Sequence, residues 1–279
     1  RVGCSGSFPF GRKVYHCWKK QGHGAIDIVG AIRESCNIFF QQNLARLSID
    51  TLHRYYSMFG FGEKTGINLP QEVPGLNPST KWKLDRLKQS WQQGETLSVG
   101  IGQSFFLAST LQLARAYAAI ANEGKVFKPH LVKEITDQNG KSVYRDTPEL
   151  VREIKLKPNT WKYVKMGLHD VVMDPRGSGQ RSRPLKTSMA GKTGTSQVRS
   201  FSANKIYDLC ELNPYESRHH GLFVGYAPAD NPKIAMAIII EHACHGSTAA
   251  APIASKIADK YFEKYLQKNE HPHVDVKNN

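Results

Sequence analysis

The segment with the most chemical potential is Met189-Ala-Gly-Lys192-Thr193-Gly194-Thr195-Ser196-Gln-Val198. Its pattern predicts a strand. The lysine offers a fixed positive charge, and Gly194 keeps the strand bare enough for a ligand to lie alongside. Side chains alternate along a strand, so Thr193 and Thr195 share a face. Two hydroxyls and an ammonium on one strand face would make a carboxylate receptor. Gly191-Lys192-Thr193 could also end a phosphate-binding loop, but that loop needs a glycine five positions before Gly191. Lys186 stands there, and no strand precedes it, so the reading fails. A second copy, Lys64-Thr65-Gly66, lies in a turn-rich stretch and is expected to be structural.

Far upstream lies Ser35-Cys36-Asn37, between two helical patterns. A hydroxyl there can relay a proton, and an amide can donate to a substrate carbonyl. A nucleophilic serine would be expected one helical turn before a lysine, which puts amine and hydroxyl on one face. The one Ser-x-x-Lys is Ser202-Ala-Asn-Lys205, in a polar stretch on the wrong side of both other motifs. The motif order of penicillin-binding proteins and related β-lactamases, which the two segments resemble, runs Ser-x-x-Lys, Ser-x-Asn, Lys-Thr-Gly and implies a nucleophile before Arg1.

Cys4, Cys17, His23 and Cys36 form a further set, separated by 12, 5 and 12 residues. Tetrahedral zinc accepts three cysteines and a histidine, and four protein ligands would make the site structural. The alternative is a Cys4–Cys17 disulfide with Cys36 merely buried. The chain has five cysteines, an odd number, so they cannot all pair internally. Cys36 between Ser35 and Asn37 would point away from both in an extended segment. Glu241 to Gly246, with His242, Cys244 and His245, reads as a strand end beside the site and not as a second metal cluster.

Positioning these residues requires helices first and strands later. Arg1–Gly24 reads as loop. Ile28, Ile32, Phe39, Phe40, Leu44 and Leu47 recur at helical spacing, with an interruption near Ser35–Asn37. Thr51–Phe59 predicts a short helix capped by the threonine, and Gly60–Thr80 a loop with one short strand at most. Helices follow at Ser109–Asn122, ended by Gly124, and at Pro158–Met173, stopped by the Asp174–Gly177 turn. Strands are predicted at Met189–Val198, Gly221–Tyr226 and Ile234–Glu241, then a closing helix at Ala251–Gln267. The order implies an α+β fold, an antiparallel sheet flanked by helices. Residues 1–268 form one domain, and residues 269–279 a polar, disordered tail.

The 279 residues carry 38 Lys and Arg against 24 Asp and Glu, a formal charge of +14, with 40% hydrophobic and 22% charged residues. This fits a globular chain and argues against a disordered one. Eleven of the basic residues and only three acids fall between Val151 and Ser200. No zinc-finger spacing or aromatic ribonucleoprotein motif accompanies them, so a nucleic-acid partner is not expected. An anionic lipid or cell-wall substrate would use the same charge. No run reaches the roughly 18 apolar residues of a membrane helix. The start, Arg1-Val-Gly-Cys4, has neither initiator methionine nor export signal, so the numbering is expected to begin inside a longer protein.

Lys-Thr-Gly preceded by Ser-x-Asn is part of a signature shared by penicillin-binding proteins and related β-lactamases. With Cys17-Trp-Lys-Lys-Gln-Gly-His-Gly24, Glu34-Ser-Cys-Asn37, Phe59-Gly-Phe-Gly62, Thr65-Gly-Ile-Asn-Leu-Pro70, Val99-Gly-Ile-Gly-Gln103, Leu111-Gln-Leu-Ala114, Ala121-Asn-Glu-Gly124, Lys192–Val198 and Ala249-Ala-Ala-Pro252, the chain resembles the C-terminal part of class B penicillin-binding proteins of the elongation group. The resemblance runs from Cys4 to about Leu266. It implies a penicillin-binding transpeptidase (serine β-lactamase-like) fold, incomplete at the N-terminus. It also implies a peptidoglycan D,D-transpeptidase that forms a serine acyl-enzyme and is a target of β-lactams. A non-catalytic penicillin-binding or sensor module on the same fold is the alternative.

By that resemblance Lys192 and Ser35 move protons and Asn37 holds the substrate amide. Thr193, Gly194 and Thr195 bind substrate, the two threonines taking its terminal carboxylate, and the Thr195 N–H is half of an oxyanion hole. Some elongation-group members carry zinc where Cys4, Cys17, His23 and Cys36 stand. The implied partners are stem peptides, lipid-linked precursor, β-lactams and, through regions outside this chain, a SEDS-family glycosyltransferase. The implied location is the periplasmic face of the inner membrane, anchored by an N-terminal helix outside this chain. Ser104 stands where the family more often has glycine.

Overall fold

The computed structural model describes residues 1–198 and 209–266. The Ser202–Lys205 motif and the expected tail from residue 269 fall outside the described residues.

Arg1–Gly24 is not loop. β1 (Val2–Cys4) pairs antiparallel with β4 (Gly24–Ile26), Cys4 opposite Gly24. Between them β2 (Ser7–Phe10) and β3 (Lys13–His16) form a hairpin that turns at Gly11, φ 58°. A positive φ there suits glycine, as tight hairpin turns require. These pairs bring Cys4, Cys17 and His23 together.

The expected break divides α1 (Ile28–Arg33) from α2 (Asn37–Leu44). Asp27 caps α1 by accepting the Gly30 N–H at 2.9 Å. Ser35 closes the turn with φ 55°, a left-handed conformation that L residues adopt only under constraint. α3 (Ile49–Met58) is capped by Ser48, not Thr51: Ser48 Oγ accepts from Thr51 N at 3.2 Å. The stretch to Thr80 is loop, tied by one isolated bridge between Leu76 and Leu107. Two short helices that no strong pattern announced follow, α4 (Thr80–Leu87) and α5 (Gln93–Val99). An ion pair between the buried Lys83 and the half-buried Glu95 links them, Lys83 Nζ lying 2.5 Å from Glu95 Oε1.

α6 (Thr110–Ala121) starts with a capping box in which Ser109 and Gln112 bond reciprocally. Four short strands were not foreseen: β5 (Lys125–Phe127) with β8 (Leu150–Glu153), and β6 (Glu134–Thr136) with β7 (Ser142–Arg145). α7 (Pro158–Met173) has the predicted limits, with proline at its first position, where the missing N–H costs nothing.

The principal sheet contains β9 (Ala190–Ser196), β10 (His220–Ala227) and β11 (Ile234–Ile240), antiparallel in the order β11-β10-β9. β9 is therefore an edge strand. α6, α7 and α8 (Ala250–Tyr261) pack on the sheet. The core joins Met189, Phe223, Tyr226, Val171 and Val172 to the small stripe Ala250, Ala251, Ala254 and Ala258. Burying Phe223 or Met189 contributes about 1.5–3 kcal/mol each. Gly167 lets α7 approach α1 closely, since a Cβ there would lie 2.8 Å from Ile32 Cβ. That contact sets where the Ser35 turn stands relative to β9. No described helix is long and apolar enough to cross a membrane.

Candidate active site

The two motif segments meet. Lys192 Nζ on β9 donates to Ser35 Oγ at 2.8 Å and to the Thr193 carbonyl at 3.1 Å. Alternation sends Lys192 off β9 on the face opposite Thr193 and Thr195, so the three do not share one face as the sequence suggested. The ammonium is held between the Ser35 hydroxyl, on the α1–α2 turn, and the strand's own Thr193 carbonyl. Burial disfavours its charged form and brings its pKa down from the ordinary lysine value to about 8.

Thr193 Oγ1 lies 3.0 Å from Ser178 Oγ, in the turn after α7. The Thr195 carbonyl accepts from Gln103 Nε2 at 2.8 Å. Gly194 is small for a packing reason as well, because a Cβ there would sit 3.3 Å from the Leu222 side chain on β10. Asn37 Nδ2 donates to the His16 carbonyl at 3.2 Å, so this amide also ties α2 to the β3 end. Beside the β9 end, a cleft of about 240 Å³ runs between Gly102–Leu107 and Ser196–Val198.

Behind Ser35, Cys36 is fully buried with Cys4 and Cys17, and all three are free thiols. With His23, their ligand atoms lie within 4.8 Å of one another. His23 Nδ1 is 3.5 Å from both Cys4 Sγ and Cys17 Sγ. A hydrogen bond from Cys36 holds the Cys17 thiol below its ordinary range. Cys36 and Ser35 therefore face different ways, although through a left-handed turn at Ser35 and not a plain extended segment.

The penicillin-binding protein transpeptidase domain matches residues 5–259. The chain belongs to that family. It is 38% identical to the peptidoglycan D,D-transpeptidase MrdA of Haemophilus influenzae over 271 residues, which is 96% of this chain and 41% of that protein. The penicillin-binding protein PBP2 of Pseudomonas aeruginosa, solved with WCK 5153, is 34% identical with a TM-score of 0.80; the match covers 95% of this chain and 56% of that one. Helicobacter pylori PBP2, solved in complex with MreC, is 30% identical with a TM-score of 0.79, covering 94% and 45%. The chain thus spans about two fifths of the curated relative's length.

Set in this transpeptidase family, Ser104 gains a physical explanation. Its φ is 65°, a left-handed conformation in which glycine is unstrained and serine is not. The second Lys-Thr-Gly is a loop clamped by an internal carboxylate. Glu72 accepts from the Thr65 N–H at 2.7 Å, the Gly66 N–H at 3.1 Å and the Thr65 hydroxyl. Glu72→Ala should cost about 2 kcal/mol, because the buried Thr65 N–H and hydroxyl lose a charged acceptor. Chemical denaturation should show that loss.

The cysteine at the far rim has a partner that parity could not identify: Cys210 and Cys244 form a disulfide, Cα–Cα 5.7 Å. His242 Nδ1 donates to the Arg218 carbonyl at 3.2 Å, and His245 Nε2 lies 3.7 Å from Glu211. The His242–Cys244–His245 group is accordingly a rim structure beyond the β11 end.

Proposed function

We propose that the full-length protein is a peptidoglycan D,D-transpeptidase. The observation that carries this is the 2.8 Å contact between Lys192 Nζ and Ser35 Oγ, two groups 157 residues apart in sequence. In this reading a serine from a segment outside the chain attacks the carbonyl of the penultimate D-alanine of a stem peptide. The terminal D-alanine leaves as the amine and takes up a proton through the Ser35–Lys192 pair. A neighbouring stem's amine then displaces the serine and forms the cross-link. Thr193 and Thr195 hydroxyls bind the substrate carboxylate, and the Thr195 N–H helps to hold the developing oxyanion. The 30–38% identity to MrdA and PBP2 over nearly the whole chain supports the same assignment.

Cys4, Cys17, His23 and Cys36 fit a structural zinc ion: the donor set is tetrahedral-compatible and buried, and it includes a thiol already biased to the thiolate. Such an ion supplies folding energy and takes no part in the reaction. It would pin the Ser35–Asn37 turn from behind. Lipid-linked precursor, an MreC-type scaffold and a SEDS-family glycosyltransferase are the proposed partners, at the periplasmic face of the inner membrane.

The test is labelling of the full-length protein with fluorescent penicillin, together with release of D-alanine from a D-Ala-D-Ala stem peptide. A covalent adduct and D-alanine release support the transpeptidase. Reversible penicillin binding with neither outcome would identify a non-catalytic penicillin-binding module.

A further inference from the structure

The Asp174–Gly179 turn after α7 touches both halves of the site, although it carries none of the motif residues. Its backbone is tightly determined. Gly177 N donates to the Asp174 carbonyl at 2.9 Å, and Gly179 N to the Val171 carbonyl at 2.9 Å. A Cβ on Gly177 would lie 2.2 Å from the Val171 carbonyl, so only glycine lets the turn fold back on the helix end. Ser178, between the two glycines, reaches both ways. Its N–H donates to the Arg33 carbonyl at 3.0 Å, two residues before Ser35. Its hydroxyl meets Thr193 Oγ1 at 3.0 Å. The same two elements are joined again by charge. Arg33, whose side chain is 11% exposed, bonds Asp174 Oδ2 at 3.4 Å and Glu34 Oε1 at 2.6 Å.

We infer that Ser178 is a positioning residue for the transpeptidase site, orienting the Thr193 hydroxyl towards the substrate carboxylate while its N–H holds the Ser35 turn against β9. The inference rests on the function proposed above. A threonine hydroxyl left alone can rotate among three staggered positions. A fixed partner behind it selects one of them and leaves a lone pair or proton for a ligand. Ser178 does not touch the ligand; it acts through Thr193.

The experiment uses the full-length protein and a fluorescent penicillin, and it separates binding before acylation from the acylation rate at saturation. Ser178→Ala should weaken the pre-covalent binding about fivefold, as expected for loss of one net hydrogen bond, with a smaller effect on the saturated rate. Ser178→Thr keeps the hydroxyl and should restore binding. On a Thr193→Val background, Ser178→Ala should have no further effect, a non-additivity that a general loss of stability would not produce. Unchanged binding in Ser178→Ala, or an undiminished loss on the Thr193→Val background, would overturn the positioning role while leaving the acyl-transfer reading intact. Failure of the wild-type protein to label would instead overturn the acyl-transfer reading itself.

Discussion

Replacing Lys192 by methionine in the full-length protein is expected to lower β-lactam acylation about a thousandfold. The ammonium is the group that links the Ser35 hydroxyl to β9, and removing a positioned acid–base group costs about 10²–10⁴ in rate. Lys192→Arg keeps the charge but cannot lose its proton at accessible pH, so it should retain carboxylate binding and lose the acylation step. The pH dependence follows from the same burial. Lys192 titrates at about 8, so it is a cation below that pH and neutral above it. A cation beside β9 attracts the carboxylate that the two threonine hydroxyls hold even without touching it, so pre-covalent affinity for a carboxylate-bearing β-lactam should fall as pH rises through 8, and the fall should be absent in Lys192→Arg. Stability has the opposite trend. Between about pH 8 and the ordinary lysine value of 10.5 the unfolded chain binds more protons at this position, so this group's contribution favours folding increasingly as pH rises. A pH-independent binding constant from 7 to 9 would contradict the assignment.

Removal of metal should have the largest effect on the fold. Purified full-length protein is expected to contain one zinc ion per chain. Stripping it with a chelator under reducing conditions should lower the melting temperature by roughly 10 °C, because a structural zinc site carries several kcal/mol of folding energy. Cys17→Ala should have the same effect and make the protein insensitive to chelator. β-lactam labelling should fall with it, since Cys36 sits directly between Ser35 and Asn37. Protein that is reduced, folded and free of stoichiometric zinc would refute the proposal.

Much of this was legible in the sequence, for identifiable reasons. α6, α7 and the strands β10 and β11 stand out because their buried faces demand apolar patterns, as in Ile234–Ile240, whereas β9 is marked by its Lys-Thr-Gly-Thr motif. The break at Ser35 was visible because the helical spacing lapses there. β1 to β4 were not, because in three- and four-residue strands an alternation such as that of Ser7–Phe10 is too short to stand out from chance. β6 and β7 are exposed at every residue, so burial imposed no pattern on them. Thr51 is a good capping residue by type, but Ser48, three positions earlier, fills that role. Within the site, Lys192, Thr193 and Ser35 were carried by short motifs. Ser178 belongs to no such motif, and only the folded turn brings it to Thr193. Cys210 and Cys244 are 34 residues apart, and counting thiols cannot choose partners.

The bond from Gln103 to the Thr195 carbonyl has a consequence for ligand entry. A bare strand border invites another strand to zip onto it, and proteins ordinarily shield such borders. Here an amide side chain serves as the placeholder. An incoming peptide that pairs with this carbonyl must evict Gln103, exchanging one amide donor for another. The swap is close to thermoneutral, so backbone pairing at this point adds little selectivity. Discrimination between guests must then come from their charged end.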